Sequence, residues 1–169
     1  MQEIRLTPTS YIVLGLLELA GESTPYVLKQ LVARSVGFFW TLQHAQLYTE
    51  PERLAKAGYV TETREEGGRR RRMYALTDRG RKALGDWRTE TTSALGEYRE
   101  PAALKLFFGA DPAQLAARQI EAHRAKLAEY ERIRDAMPEE VPEGPRLALE
   151  MGIRHERESI AFWEDLAAG

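Results

Sequence analysis

Four consecutive arginines, Arg69 to Arg72, are the strongest local charge feature of the chain. A guanidinium pairs with phosphate oxygens in a planar, bidentate way and releases condensed counterions, so each such contact adds affinity for a nucleic-acid backbone without reading its sequence. Standing alone, a basic run is more often a solvated loop, and its neighbours decide between the two. Tyr59-Val60-Thr61-Glu62-Thr63 precedes it and Arg72-Met73-Tyr74-Ala75-Leu76 ends it, both with period-two character, and Gly67-Gly68 lies between. This predicts a hairpin with a basic, glycine-hinged tip. Upstream, Thr41, Gln43, His44 and Gln46 are short polar residues able to donate and accept at base edges, glutamine being suited to adenine. Phosphate contact therefore falls to Arg69, Arg70, Arg71 and Arg72, and base readout to the segment holding those four polar residues.

Catalytic chemistry finds no support. His44, His123 and His155 are far apart, and a metalloprotease helix beginning His155-Glu156 would need histidine where Ser159 stands. The phosphate-cradling G-x-x-x-x-G-K-[ST], the dinucleotide G-x-G-x-x-G and the nucleophile elbow G-x-S-x-G do not occur. With no cysteine there is no disulfide framework, Cys-ligated zinc or thiol nucleophile. We expect a protein that is not an enzyme and uses no metal and no cofactor.

At 169 residues the chain holds one domain or two small ones. Its net charge of -2 conceals an asymmetry: residues 1–88 carry 14 Lys+Arg against 10 Asp+Glu, and residues 89–169 carry 10 against 16. One half is suited to a polyanion and the other to something else. The most apolar run, Tyr11 to Leu19, contains Glu18 and is too short to cross a bilayer. Glu3 and Pro8 argue against an export signal, so a cytoplasmic protein with no membrane partner is expected.

The elements that would position the polar residues follow from caps and periodicity. Thr7-Pro8 opens a first helix with Ile12, Leu16 and Leu19 inward, ended by Gly21; Thr24-Pro25 opens a second, with Val27, Leu28, Leu31 and Val32 inward. Phe38-Phe39-Trp40 is expected as a buried aromatic plug before a third helix from Leu42 to Ala57, whose first turns would carry Thr41, Gln43, His44 and Gln46 and whose core side holds Leu47, Leu54 and Ala55. After the hairpin, Thr77-Asp78 caps a helix through Leu84 and Trp87. The order is that of a winged helix-turn-helix over residues 1–88.

Residues 89–169 read as all helical. Glu100-Pro101 and Asp111-Pro112 open two helices, the longer carrying a seam of Ala116, Ile120, His123, Leu127, Tyr130 and Met137. The last helix, from about Arg146 to Ala167, has Leu149, Ile153, Ile160 and Trp163 on one face and Ala148, Gly152, His155, Ser159, Phe162 and Leu166 on the other, so one can serve its own subunit and the other a partner. The fold class is mainly α with a small β-wing and a helical, coiled-coil-like second domain.

Taken together, the residues resemble the PadR-type transcriptional regulators. The resemblance lies in Leu6-Thr7-Pro8-Thr9-Ser10-Tyr11-Ile12-Val13-Leu14-Gly15-Leu16-Leu17, in Phe38-Phe39-Trp40 and His44-Ala45-Gln46-Leu47-Tyr48, in Arg53-Leu54-Ala55-Lys56-Ala57-Gly58-Tyr59-Val60, and in Arg72-Met73-Tyr74-Ala75-Leu76-Thr77-Asp78-Arg79-Gly80. The second half is similar to the subgroup with a virulence-activator-like C-terminal domain, through His123 to Tyr130, Leu147 to Ile153, and Trp163. The resemblance implies a ligand-responsive repressor that binds a pseudo-palindromic double-stranded operator as a homodimer. It implies that Tyr11 and Tyr48 approach the DNA backbone, that Gln43, His44 and Gln46 enter the major groove, and that the C-terminal helices hold the dimer. Counting both faces of the last helix, the dimerisation candidates are Leu149, Gly152, Ile153, His155, Ile160, Phe162, Trp163 and Leu166. An effector could be aromatic, with Trp87, Trp163, Tyr130, Phe107 and Phe108 as pocket candidates, although at helical spacing each is more often core.

One residue departs from the family pattern. Pro51 stands in mid-helix where an apolar residue is usual, and a proline there removes a backbone bond to the carbonyl of Leu47. The expectation is a kink, or a fresh helix capped by Thr49 through Glu52. The rival function is a winged-helix protein-interaction adaptor without DNA binding.

Overall fold

The computed structural model describes residues 4–64, 71–97 and 99–168. They form two compact units, Met1–Ala94 and Leu95–Gly169. The architecture is mostly helical with one two-stranded antiparallel wing.

In the first unit, α1 (Pro8–Ala20) starts on a reciprocal cap: the Ser10 amide donates to Thr7 Oγ1 and the Thr7 amide to Ser10 Oγ. Gly21 ends it at φ 74°, a backbone that suits glycine. Helix α2 (Pro25–Ala33) is capped by Thr24, as its Thr-Pro signal predicts. Helix α3 (Gln46–Lys56) leads into strand β1 (Val60–Arg64), which pairs antiparallel with β2 (Arg72–Leu76), Val60 facing Leu76 and Arg64 facing Arg72. Ser23 extends the ladder by exchanging two 2.9 Å backbone bonds with Tyr74. Helix α4 (Asp78–Thr89) closes the unit, capped by Thr77. Val13, Leu14, Leu17, Leu28, Leu47, Leu54, Tyr74 and Leu84 make the core, and α1 alone supplies five buried residues.

Two expectations are corrected. The third helix begins at Gln46, not Leu42: Thr41 to Gln43 have no regular secondary structure and His44-Ala45 form a turn, with Gln43 and His44 carbonyls accepting from Gln46 and Leu47. The reason is packing. Leu42 and Leu47 both pack on the core, whereas positions five apart on a helix point about 140° apart. The aromatic plug is also not buried: Phe38 is half-buried, while Phe39 and Trp40 are 65% and 45% exposed.

In the second unit, a short α5 (Pro101–Phe107) precedes α6 (Pro112–Asp135) and α7 (Glu143–Ala168). Asp111 caps α6 and Glu100 caps α5. Ala116 packs with Trp163, His123 Nδ1 lies 2.6 Å from Glu156 Oε2, and Tyr130 meets Gly152, so α6 and α7 run antiparallel. A Cβ at Gly152 would stand 3.1 Å from the Tyr130 ring, which accounts for the small residue there. Arg146 fastens the connector by donating to the carbonyls of Pro138, Glu139 and Val141. No helix among the described residues is long and apolar enough to cross a membrane.

A close backbone approach in the first unit is at Gly80, where a Cβ would fall 2.2 Å from the Tyr59 carbonyl oxygen. Thr77 Oγ1 holds the same turn by donating to the carbonyls of Gly58 and Tyr59. Gly80→Ala should therefore lower stability by about 1 to 3 kcal/mol, the usual range for a forced overlap. Chemical denaturation of the two proteins checks this, and an unchanged midpoint would show that the α4 start can move aside freely.

Candidate nucleic-acid interface

What fixes α3 on the unit is a buried polar network. Leu47, Glu50, Pro51 and Leu54 form its inward stripe, so a carboxylate and a proline sit where apolar side chains would be ordinary. Ser10 Oγ donates to Glu50 Oε1 at 2.6 Å. Arg53 clamps the same carboxylate from both sides, Nη2 to Oε1 at 2.6 Å and Nε to Oε2 at 2.9 Å, and also reaches Ser10 Oγ and the Arg5 carbonyl. Burial by itself would raise the Glu50 carboxyl, but the hydrogen bonds from Arg53 and Ser10 and the Arg53 charge outweigh it and hold it below the usual 4.5. The network ties α3 to the capped start of α1.

Pro51 does not start a new helix, which corrects that alternative raised by the sequence. The helix runs unbroken from Gln46 to Lys56, and Thr49, instead of capping a new start, donates its hydroxyl to the Ala45 carbonyl. Pro51 is itself fully buried, so its ring contributes packing where its missing N–H subtracts a bond.

Thr41, Gln43, His44, Gln46 and Tyr48 are all exposed and contiguous, with only Leu42 and Leu47 turned inward between them. Thr41 and Gln43 stand ahead of the helix, His44 in the turn, and Gln46 and Tyr48 in its first turn. The candidate interface is thus a loop leading into a helix N-terminus. Its entry is crowded at Gly37, where a Cβ would lie 2.6 Å from the Val32 carbonyl oxygen.

The wing cations differ among themselves. Arg71 is exposed at the edge of the described hairpin; Arg69 and Arg70 lie outside the described residues. Arg72 is engaged, donating to Glu52 of α3 and standing 3.7 Å from Glu62 of β1. Tyr11 is half-buried: its ring stacks on Trp87 of α4 at 4.6 Å between centroids, and burial, then the charges of Glu90, Tyr59 and Asp86, raises its phenol above the usual 10.0.

In the second unit, Ile153 and Trp163, both counted among subunit-interface candidates, are buried inside the unit, and Gly152 is covered by Tyr130. Leu166 packs against the Ala116–Trp163 cluster, while Leu149 and Ile160 are half-buried. His155 and Phe162 remain exposed, together with Leu147 and Met151, which the sequence reading passed over. Tyr130 and Trp163 are core residues, and Phe107 and Phe108 are more than three-quarters exposed, so these four do not line one cavity. A cavity of about 240 Å³ lies instead beside Arg134, Met137, Arg146, Leu149 and Ile153. Among the described residues no cluster of His, Cys, Asp or Glu could hold a metal ion.

Comparisons with known proteins agree with this geometry. The chain matches the profile described as the transcriptional regulator PadR-like family over residues 13–86, and that of the virulence activator alpha C-terminal region over residues 98–168. It is 27% identical to the negative transcriptional regulator PadR of Bacillus subtilis, over 94% of each chain. The crystal structure of that protein in complex with operator DNA superposes with a TM-score of 0.82 at 26% identity, covering 94% of this chain and 96% of that one. Its complex with p-coumaric acid gives 0.77 at 25% identity, covering 97% of each chain. The Vibrio cholerae virulence activator AphA gives 0.68 at 26% identity, covering 95% of this chain and 96% of that one.

Because the Glu50 carboxyl is lowered in the folded protein, its ionised form stabilises the fold fully above the ordinary carboxylate value and the contribution is lost as pH falls through the lowered one. Wild-type stability should decline on acidification below about pH 4.5, and Glu50→Gln should decline less over the same interval. Arg53→Met, which leaves the carboxylate buried without its partner, should cost about 3 kcal/mol at neutral pH. Denaturant midpoints measured across pH test both; parallel curves for wild type and Glu50→Gln would remove the network from its stabilising role.

Proposed function

The chain belongs to the PadR-like family of transcriptional regulators, and we propose that it is a sequence-specific DNA-binding repressor that acts as a homodimer on a pseudo-palindromic operator and responds to a small, aromatic effector. The observation that carries this reading is the exposed polar segment from Thr41 to Tyr48, pinned to α1 by the buried Ser10–Glu50–Arg53 network. Thr41, Gln43, His44 and Gln46 read base edges, and Tyr48 and Arg71, with Arg69 and Arg70 beside it in sequence, meet the backbone. Residues 1–88 are the DNA-binding domain and residues 89–169 the dimerisation and effector domain. The exposed side of α7, with Leu147, Met151, His155 and Phe162, faces the second copy.

Support for the ligand comes from the Bacillus subtilis relative, solved both with operator DNA and with p-coumaric acid. The effector acts by changing the distance between the two α3 helices, since half-sites one turn apart demand a separation of about 34 to 36 Å. No catalysis is involved, and the protein works in the cytoplasm, where its DNA target is.

Selection of bound duplexes from a random DNA pool tests the reading. The expected product is a palindrome, bound with a log–log salt slope of about -0.9 per phosphate neutralised. Gln43→Ala or Gln46→Ala should relax preference at one position of each half-site by about 1 to 3 kcal/mol. A pool with no shared sequence, or no duplex affinity at any salt, would overturn the proposal in favour of a protein-binding role.

A further inference from the structure

The wing's ladder ends, among the described residues, on two directly opposed arginines, Arg64 and Arg72. Like charges facing each other across a ladder destabilise it unless something lies between them. Glu62 does, with Oε1 at 3.4 Å from Arg64 Nε and 3.7 Å from Arg72 Nε, while its Oε2 accepts from the Tyr74 hydroxyl at 3.2 Å. Arg72 turns its other side to Glu52 of α3, donating from Nη1 to Oε1. Glu52 stands one helical turn beyond Tyr48, so it shares with that residue the α3 face turned to the wing. One guanidinium thus joins the helix proposed to read bases to the strand that bears the wing.

Resting on the DNA-binding reading above, we propose that Arg72 is a positioning residue, which sets the angle of the wing to α3, and not a phosphate contact like Arg71. The charges favour this. Arg64 and Arg72 are matched by Glu52 and Glu62, so this patch has no net positive charge to offer a polyanion. A phosphate approaching Arg72 would meet two carboxylates already on it and would have to displace them against like-charge repulsion. Arg71, next in sequence and exposed, stands outside this bridge. The two arginines are neighbours with different work: one adds affinity that ignores sequence, the other fixes which groove positions the α3 residues and the wing reach together.

The test uses the full chain, a duplex recovered by the selection above, and a random-sequence duplex of equal length. Affinities of the wild type and of Arg72→Gln, Glu52→Gln and Arg71→Ala are measured across a salt series. Arg72→Gln should leave the salt slope unchanged while reducing the ratio of selected to random affinity several-fold, and Glu52→Gln should reproduce that loss. Arg71→Ala should lower the slope by about 0.9 and weaken both duplexes alike. If Arg72→Gln lowers the slope by that amount and Glu52→Gln tightens binding by freeing the guanidinium, Arg72 is a phosphate contact and the proposal is wrong. A denaturation double-mutant cycle on Glu52 and Arg72 separates the remaining failures. Zero coupling sinks the bridge whatever the DNA result; coupling in a protein that binds no duplex sinks the DNA reading and, with it, the role given to Arg72.

Discussion

The first unit depends on one buried carboxylate. Glu50 sits on the inward stripe of α3 between Leu47 and Leu54, and an unpartnered charge there would cost more than the neighbouring apolar contacts return. Arg53 and Ser10 make it tolerable, and in doing so they specify position. An apolar residue at that place would accept many orientations of α3 against α1, whereas two guanidinium bonds and one hydroxyl bond accept very few. Ser10 is fixed in turn by the α1 cap, so the orientation of the polar segment ahead of α3 traces back to Thr7.

The same network accounts for a proline inside a short helix. Pro51 follows Glu50 directly and is buried beside it, so the residue whose helical geometry a following proline disfavours is the one most firmly held from outside. The missing bond to the Leu47 carbonyl is a local loss. It is offset by packing of the ring and by tertiary bonds that an isolated helix would lack.

Most of the architecture was legible because its signals are local. Thr7-Pro8, Thr24-Pro25 and Asp111-Pro112 mark helix starts through caps that act within three residues, and alternation around Gly67-Gly68 marks the wing. What escaped was set by contacts distant in sequence. The start of α3 is moved by Leu42 and Leu47 both turning to the core. The Glu50 network left a trace that could have been used: a charge at the third position after Leu47 and the fourth before Leu54 lies on the apolar stripe, with an arginine three residues on to meet it. On α7 the period separated two faces, but Gly152 and Leu166 of the face expected to serve a partner pack inside the unit, and hydrophobicity alone could not say that the large, greasy Met151 is exposed while Glu156 is buried against His123.

The tryptophans divide between the units in a way that has a spectroscopic consequence. Trp40 and Trp87 belong to the first unit and are nearly half exposed, Trp87 lying flat on Tyr11, whereas Trp163 is the sole tryptophan of the second unit and is enclosed by Ala102 and Ala116. Emission from Trp163, in its apolar enclosure, is expected to lie to the blue of emission from the two more exposed tryptophans. The chain thus carries its own two-colour gauge, in which the loss of order in one half can be followed against a background set by the other.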